Sequence, residues 1–257
     1  MTNITHISEE SMLKTGQATK EMIQLMKMFA QSNVNTIIGG NCGSGKSELL
    51  GWYLGELNRN QRIVISDPHS QLRLDTRYPD KFFATLSNHL SLNDKTTLEY
   101  LLEMKPDYFI LDELRSPKET AFFNDLSLFD HRTAATTCGT TVANVLDHLH
   151  SNLMRINASG NETLSHEACG KLIADSIDII ALQKQLPDGL RTIAEIAEVI
   201  GFKDNEYIIN TIFKLKADGI TKGKMIHKQV GVISERLANT MKRAGVSMDD
   251  SRFSNNC

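Results

Sequence analysis

The sequence is short of paired cysteines and of long apolar runs. Its four cysteines, at 42, 138, 169 and 257, are scattered and never stand in C-x-x-C spacing. That excludes a disulfide framework and a zinc knuckle, and predicts reduced thiols in a cytoplasmic protein. No apolar run approaches the roughly 20 residues needed to span a bilayer. Met1 is followed by polar Thr-Asn-Ile-Thr-His, which is not a signal peptide. Any membrane association is therefore expected to be peripheral, through partners. Basic charge is scarce as well: 28 Lys and Arg against 31 Asp and Glu leave a net charge of −3, and aromatics are only 6%. Without a basic stripe interleaved with aromatic side chains, direct binding of nucleic acid is not expected.

What is present is ordinary globular composition, 40% hydrophobic and 23% charged over 257 residues. This suits one large α/β domain with at most a small appendage. One stretch organises the rest. Gly40-Asn41-Cys42-Gly43-Ser44-Gly45-Lys46-Ser47 satisfies G-x-x-x-x-G-K-[ST], the phosphate-binding loop or Walker A pattern. The β-branched run Val34–Ile38 reads as a buried strand entering it, and Leu49, Leu50, Trp52, Tyr53 and Leu54 as a helix leaving it. Glycines allow a tight turn whose N–H groups aim inward at an anion, and the helix adds its positive end. Lys46 supplies a full charge for β- and γ-phosphates, the Ser47 hydroxyl can ligate Mg²⁺, and residues 40–48, Glu48 included, are expected to bind the nucleotide. The cofactors implied are ATP and Mg²⁺.

Further along, Arg62–Ser66 is a second buried strand that delivers Asp67 to its carboxyl end. Tyr108-Phe109-Ile110-Leu111-Asp112-Glu113 is a strand ending in two acids, the Walker B pattern. Asp112 is placed to orient Mg²⁺ or its water, and Glu113 to polarise an attacking water. Arg132–Thr137 predicts another core strand, with Thr136 and Thr137 able to sense a γ-phosphate. His148 and His150 stand two apart on a predicted helix, face different ways, and read as packing or surface residues. Residues 1–19 read as an irregular lead-in, and Lys20 to about Asn33 as an amphipathic helix. Arg191–Phe202 has helical spacing, Ile208 to Phe213 is ambiguous between helix and strand, and Ile233–Ala244 predicts a last helix. The domain reading is a lead-in with its helix over 1–33 and an ATPase domain over 34–257, whose part from about 201 is mostly helical.

In this order the landmarks resemble the secretion ATPase superfamily, the traffic ATPases of type II and type IV secretion, type IV pili and tight-adherence pili. The likeness rests on the loop at 40–47, Asp67, Leu111-Asp112-Glu113-Leu114-Arg115-Ser116-Pro117-Lys118-Glu119-Thr120, His131 with Thr136-Thr137, and Asp188-Gly189-Leu190-Arg191-Thr192-Ile193-Ala194-Glu195-Ile196-Ala197-Glu198-Val199. It covers roughly residues 15–250 and implies a RecA-like P-loop NTPase core, a largely parallel sheet flanked by helices. In that fold 191–200 is a strand. It also implies a hexameric ring, conjugation, secretion or pilus work, and partners among the inner-membrane or cytoplasmic components of such a machine. By resemblance Glu113 is the catalytic carboxylate, Lys46 and Ser47 the phosphate and Mg²⁺ ligands, Asp67 the Asp-box acid, and Arg115 a residue near a subunit boundary. The chain departs from the family at Ser66 and Ser70, where glutamates flank the Asp-box aspartate, and at Gly139, which stands at the His-box histidine. Asp112 replaces the glycine usual before the catalytic glutamate. The resemblance also leads to the expectation that the family's N-terminal domain has no counterpart here and that a lone subunit is slow. An ATP-binding assembly subunit that scarcely hydrolyses, and a RecA-like DNA motor, are the other readings.

Overall fold

A strand buried on both faces has to carry apolar residues at consecutive positions, and Ile37 and Ile38 are both fully buried. Their strand sits inside a wide sheet with helices on either side. The computed structural model describes residues 7–67, 72, 74–86, 95–128, 131–157, 164–221, 224–246 and 253. In chain order the elements are α1 (Glu9–Thr15), α2 (Lys20–Ala30), β1 (Thr36–Gly40), α3 (Lys46–Gly55), β2 (Arg62–Ser66), α4 (Leu74–Arg77), β3 (Phe82–Thr85) and α5 (Lys95–Glu103). There follow β4 (Tyr108–Leu111), α6 (Pro117–Leu128), β5 (Arg132–Thr137), α7 (Val142–Asn157), α8 (His166–Ser176) and β6 (Ile179–Gln185). The chain closes with β7 (Arg191–Lys203), β8 (Glu206–Thr221), β9 (Lys224–Gln229) and α9 (Glu235–Arg243).

Among the described residues the strands form one sheet in the order β3-β2-β4-β5-β1-β6-β7-β8-β9. From β3 to β6 the pairing is parallel, and β7, β8 and β9 add an antiparallel meander. Alternate residues feed two cores, as the pleat requires. Ile38, Tyr108, Ile110, Ile179 and Ala181 pack with α2, α3 and α9 on one face. Ile37, Phe109, Leu111, Ile180 and Leu182 pack with α6, α7 and α8 on the other. The α/β class and the largely parallel sheet flanked by helices are those expected.

Three stretches correct the sequence reading. The presumed irregular lead-in contains α1, capped by reciprocal Ser8 and Ser11 hydrogen bonds and ended by Gly16 at φ 72°. Met12 is fully buried there, so α1 joins the core that holds α2. Arg191–Phe202 is a strand. Register shifts between Ile196 and Ala197, and between Val199 and Gly201, break the two-residue alternation and mimic helical spacing. Among the described residues, the part from 201 onward is therefore mostly β-structure, followed by α9, because Ile209, Ile212 and Phe213 lie in a 16-residue strand. Glu198 of β7 is fully buried. It accepts from the Ser234 backbone N–H at 2.9 Å and from Asn210 at 3.3 Å, which holds the start of α9 to the sheet.

Candidate functional site

The site lies at the carboxyl ends of β1, β4 and β5, where open α/β sheets gather ligand contacts. β1 runs into the loop at Gly40, whose Cβ position would fall against the Gln183 carbonyl and 2.5 Å from Ser44 Oγ. Only glycine fits that approach. Gly43 and Gly45 have φ of 79° and 90°, the left-handed region. The loop closes through Ser44 N–H donating to the Asn41 carbonyl at 3.1 Å, and α3 begins with Leu49 N–H to the Gly45 carbonyl at 3.0 Å.

Two features of the loop lack a protein partner. Gly45 caps α3 without any side-chain hydrogen bond, so the helix keeps its first N–H groups for something else. Ser44 is 1% exposed, yet its hydroxyl has no hydrogen-bond partner, and neither has the amide of fully buried Gln183 on neighbouring β6. Lys46, 8% exposed, folds back to donate to the Asn41 carbonyl at 3.0 Å. Uncapped N–H groups, an orphaned buried hydroxyl and an ammonium gathered in one loop suit an anion with several oxygens.

Beneath the loop the two acid-ended motifs meet. Ser47 Oγ donates to Asp112 Oδ1 at 3.0 Å across 65 positions of sequence, and Thr136 Oγ1 donates to the same oxygen at 2.8 Å. Asp112 is 5% exposed, and burial pushes its carboxyl above the usual range. The Thr136 and Ser47 hydrogen bonds work against that shift, while Asp67 and Glu113 add like charge to it. Asp67, 7% exposed, accepts from the Leu72 N–H at 2.9 Å. The half-buried Ser47 hydroxyl beside a carboxylate, with more acids close by, is a donor set that fits Mg²⁺ sharing phosphate and water ligands. No larger His, Cys, Asp or Glu group able to hold a metal occurs among the described residues.

Glu113 follows at φ 83° and pairs with the exposed Arg115. The hydroxyls expected to face a γ-phosphate are engaged elsewhere: Thr136 holds Asp112, and Thr137 donates to the Leu114 carbonyl at 2.9 Å. Together with Leu114 N–H to the Thr136 carbonyl at 2.7 Å, they clamp the turn carrying Glu113. At Gly139 a Cβ would meet Val145 Cγ2 at 2.5 Å and Val145 N at 3.1 Å, so there is no room for a side chain there. Ser66 ends β2 half-buried, whereas Ser70 lies outside the described residues. His131 packs edge-on against Phe109 at 5.3 Å, away from the loop. His150 packs as expected, 5% exposed and hydrogen-bonded to Tyr207 at 2.9 Å.

Sequence reasoning missed Arg191 as a site residue. It pairs with Glu48 in the first turn of α3 and overlies Gly45. The signal was there in Asp188-Gly189, a turn that folds the next strand back toward the loop.

A mostly parallel sheet flanked by helices, with a glycine-rich strand–loop–helix at its centre, defines the class. The chain belongs to the family described as Type II/IV secretion system protein, whose model matches residues 4–195. The curated relatives it matches include the type IV secretion system protein VirB11 of Bartonella quintana, 24% identical over 189 residues, covering 73% of this chain and 52% of the relative. VirB11 of Bartonella henselae is 23% identical over 198 residues, covering 76% and 54%. The chain thus spans about half the length of these relatives. Among solved structures, the VirB11 ATPase of Brucella suis with sulphate aligns with a TM-score of 0.61 at 21% identity, covering 77% of this chain and 57% of that one. The Legionella pneumophila ATPase DotB aligns at 0.53 and 21% identity, covering 72% and 50%; these likenesses establish the shared fold. No described helix is long and apolar enough to cross a membrane.

Proposed function

We propose that the chain is a Mg²⁺-dependent ATP-binding and ATP-hydrolysing subunit that powers a secretion, conjugation or pilus machine. The observation that carries this is the Ser47–Asp112–Thr136 chain of hydrogen bonds, which joins loop and acid-ended strand beneath an uncapped helix. In this reading the loop N–H groups and Ser44 Oγ receive phosphate oxygens, and Lys46 leaves Asn41 to neutralise the β- and γ-phosphates. Ser47 and Asp112 would hold Mg²⁺, which supplies charge neutralisation at the transferring phosphoryl group. Glu113 orients and polarises the attacking water. A hexameric ring, a cytoplasmic site of action against the inner face of a machine, and Arg115 near a subunit boundary are parts of the same proposal. The family to which the chain belongs supports them.

A second reading, an assembly subunit that binds ATP and turns it over weakly, is favoured by two observations. Glu113 is tied to Arg115, and the space at Gly139 is closed by Val145. Phosphate release, measured beside size-exclusion with and without Mg-ATP, separates the two. Turnover that Lys46→Ala and Glu113→Gln each abolish supports the enzyme. Nucleotide-dependent assembly with wild-type turnover no faster than Glu113→Gln supports the assembly subunit. Equal binding of a labelled ATP analogue by Lys46→Ala and wild type removes both.

A further inference from the structure

Arg191 opens β7 beside the loop rather than below it. A Cβ on Gly45 would stand 2.9 Å from Arg191 Cδ, 3.1 Å from Nη1 and 3.2 Å from Nε, so the side chain lies flat across the loop backbone. Its guanidinium pairs with Glu48, and the two side chains are 33% and 16% exposed. Gln185, the cross-strand partner of Arg191, brings Oε1 to 3.9 Å from the Cβ position of Gly43. The hairpin that joins them is closed by Leu186 N–H to the Leu190 carbonyl at 2.8 Å and by Leu190 N–H to Asp188 Oδ1 at 3.0 Å. One tight hairpin thus sets two polar side chains along the loop from 43 to 45.

Sheet order gives this flank a meaning. On one side of β1 stand β5 and β4, which deliver Thr136, Asp112 and Glu113; on the other stand β6 and β7. A polyphosphate whose terminal group lies at the acids has its opposite end on the β6–β7 flank. There Glu48, a carboxylate in the first turn of α3, would repel a phosphodiester. Arg191 offsets that charge. Its fork carries five donors, and Glu48 contacts it through Nη1, which leaves donors for another acceptor.

We propose that Arg191 is an α-phosphate ligand, so that the hairpin distinguishes nucleoside di- and triphosphates from inorganic polyphosphate. The proposal rests on the nucleotide-binding reading of the loop. Calorimetric titration of the full chain with Mg-ATP, Mg-ADP and Mg-pyrophosphate tests it in wild type, Arg191→Ala and Arg191→Lys. Loss of a charge-assisted contact should weaken ATP and ADP alike by about 10- to 100-fold. Pyrophosphate, seated at the Lys46 end, should bind as before, and Arg191→Lys should recover part of the loss. Weakening of ATP alone would move Arg191 to the γ-phosphate and overturn the proposal. So would equal weakening of pyrophosphate, which marks a role in loop shape, or unchanged binding throughout. Retained pyrophosphate binding also establishes that Arg191→Ala is folded. A wild-type chain that binds none of the three ligands instead removes the nucleotide reading itself.

Discussion

Glu113 and Arg115 form an ion pair two residues apart, and the pair closes over a backbone turn in which Glu113 holds φ at 83°. Only four non-glycine residues among those described have positive φ. Such a conformation costs roughly 1–2 kcal/mol for a residue with a Cβ. The Leu114 N–H donating to the Thr136 carbonyl and the Thr137 hydroxyl donating to the Leu114 carbonyl hold the same turn in place. Strain clamped beside a row of acids supports the role proposed for the Glu113 carboxylate.

Glu113→Gly therefore makes a diagnostic comparison with Glu113→Gln. Glycine ordinarily costs roughly 0.5–1 kcal/mol at a position of regular backbone. Here the relief of left-handed strain should cancel that loss, and the urea midpoint should stay at or above that of wild type. Both variants should lose turnover by about 10²–10⁴-fold, as removal of a positioned base does. A Glu113→Gly midpoint well below that of Glu113→Gln would show that the turn stores no strain.

Asp112 sets a pH dependence. Its carboxyl is held above the usual range by burial first, and then by the like charges of Asp67 and Glu113. The folded state thus binds its proton more tightly than the unfolded chain. This contribution to stability is fully present below the unfolded carboxylate value and is lost as pH rises through the folded one. At neutral pH the ionised group is a cost, so Asp112→Asn should raise the melting temperature of the ligand-free chain. The gain should show at pH 7 and vanish once the pH falls below the unfolded carboxylate value. A variant that melts lower at pH 7, or with a gain that persists in acid, would contradict the burial argument.

Gly139 faces Val145 too closely for any side chain. Gly139→Ala should lose about 1–3 kcal/mol through overpacking in chemical denaturation. Val145→Ala removes the methyl that stands 2.5 Å from the new Cβ. The double variant should accordingly be less destabilised than the sum of the singles, a coupling of about 0.5–3 kcal/mol. Strict additivity would mean that Val145 is not what closes the space. The same contact predicts that histidine at 139 fails to supply a γ-phosphate sensor.

The parts of this fold that were readable from sequence are those in which one local signal dominates. Gly40 to Ser47 announces its loop because its glycines are needed for backbone geometry, and Tyr108–Leu111 announces a strand because it is buried on both faces. Asp112 and Ser47 could each be named from motif spacing, and the structure brings them within 3.0 Å. Arg191–Phe202 was misread because bulges at Ile196/Ala197 and Val199/Gly201 reset which residues share a face. A bulge is a property of two strands, and the partner, β8, had no clear period of its own. Arg191 went unnoticed for a related reason: its neighbours Gly45 and Glu48 are brought to it by the β6–β7 hairpin, not by spacing.

The place of β1 in the sheet also governs when the protein can take shape. Thr36 pairs with Ala134 on one side and Ile179 on the other. Chain leaves the ribosome at about 5–20 residues per second. For several seconds after its synthesis, the strand that carries the loop has neither hydrogen-bonding neighbour. Ile37 and Ile38, fully buried in the end, spend that interval uncovered. The loop is made well before either of the strands that seat it. A truncated or stalled nascent chain lacking β6 would present those residues to chaperones and proteases.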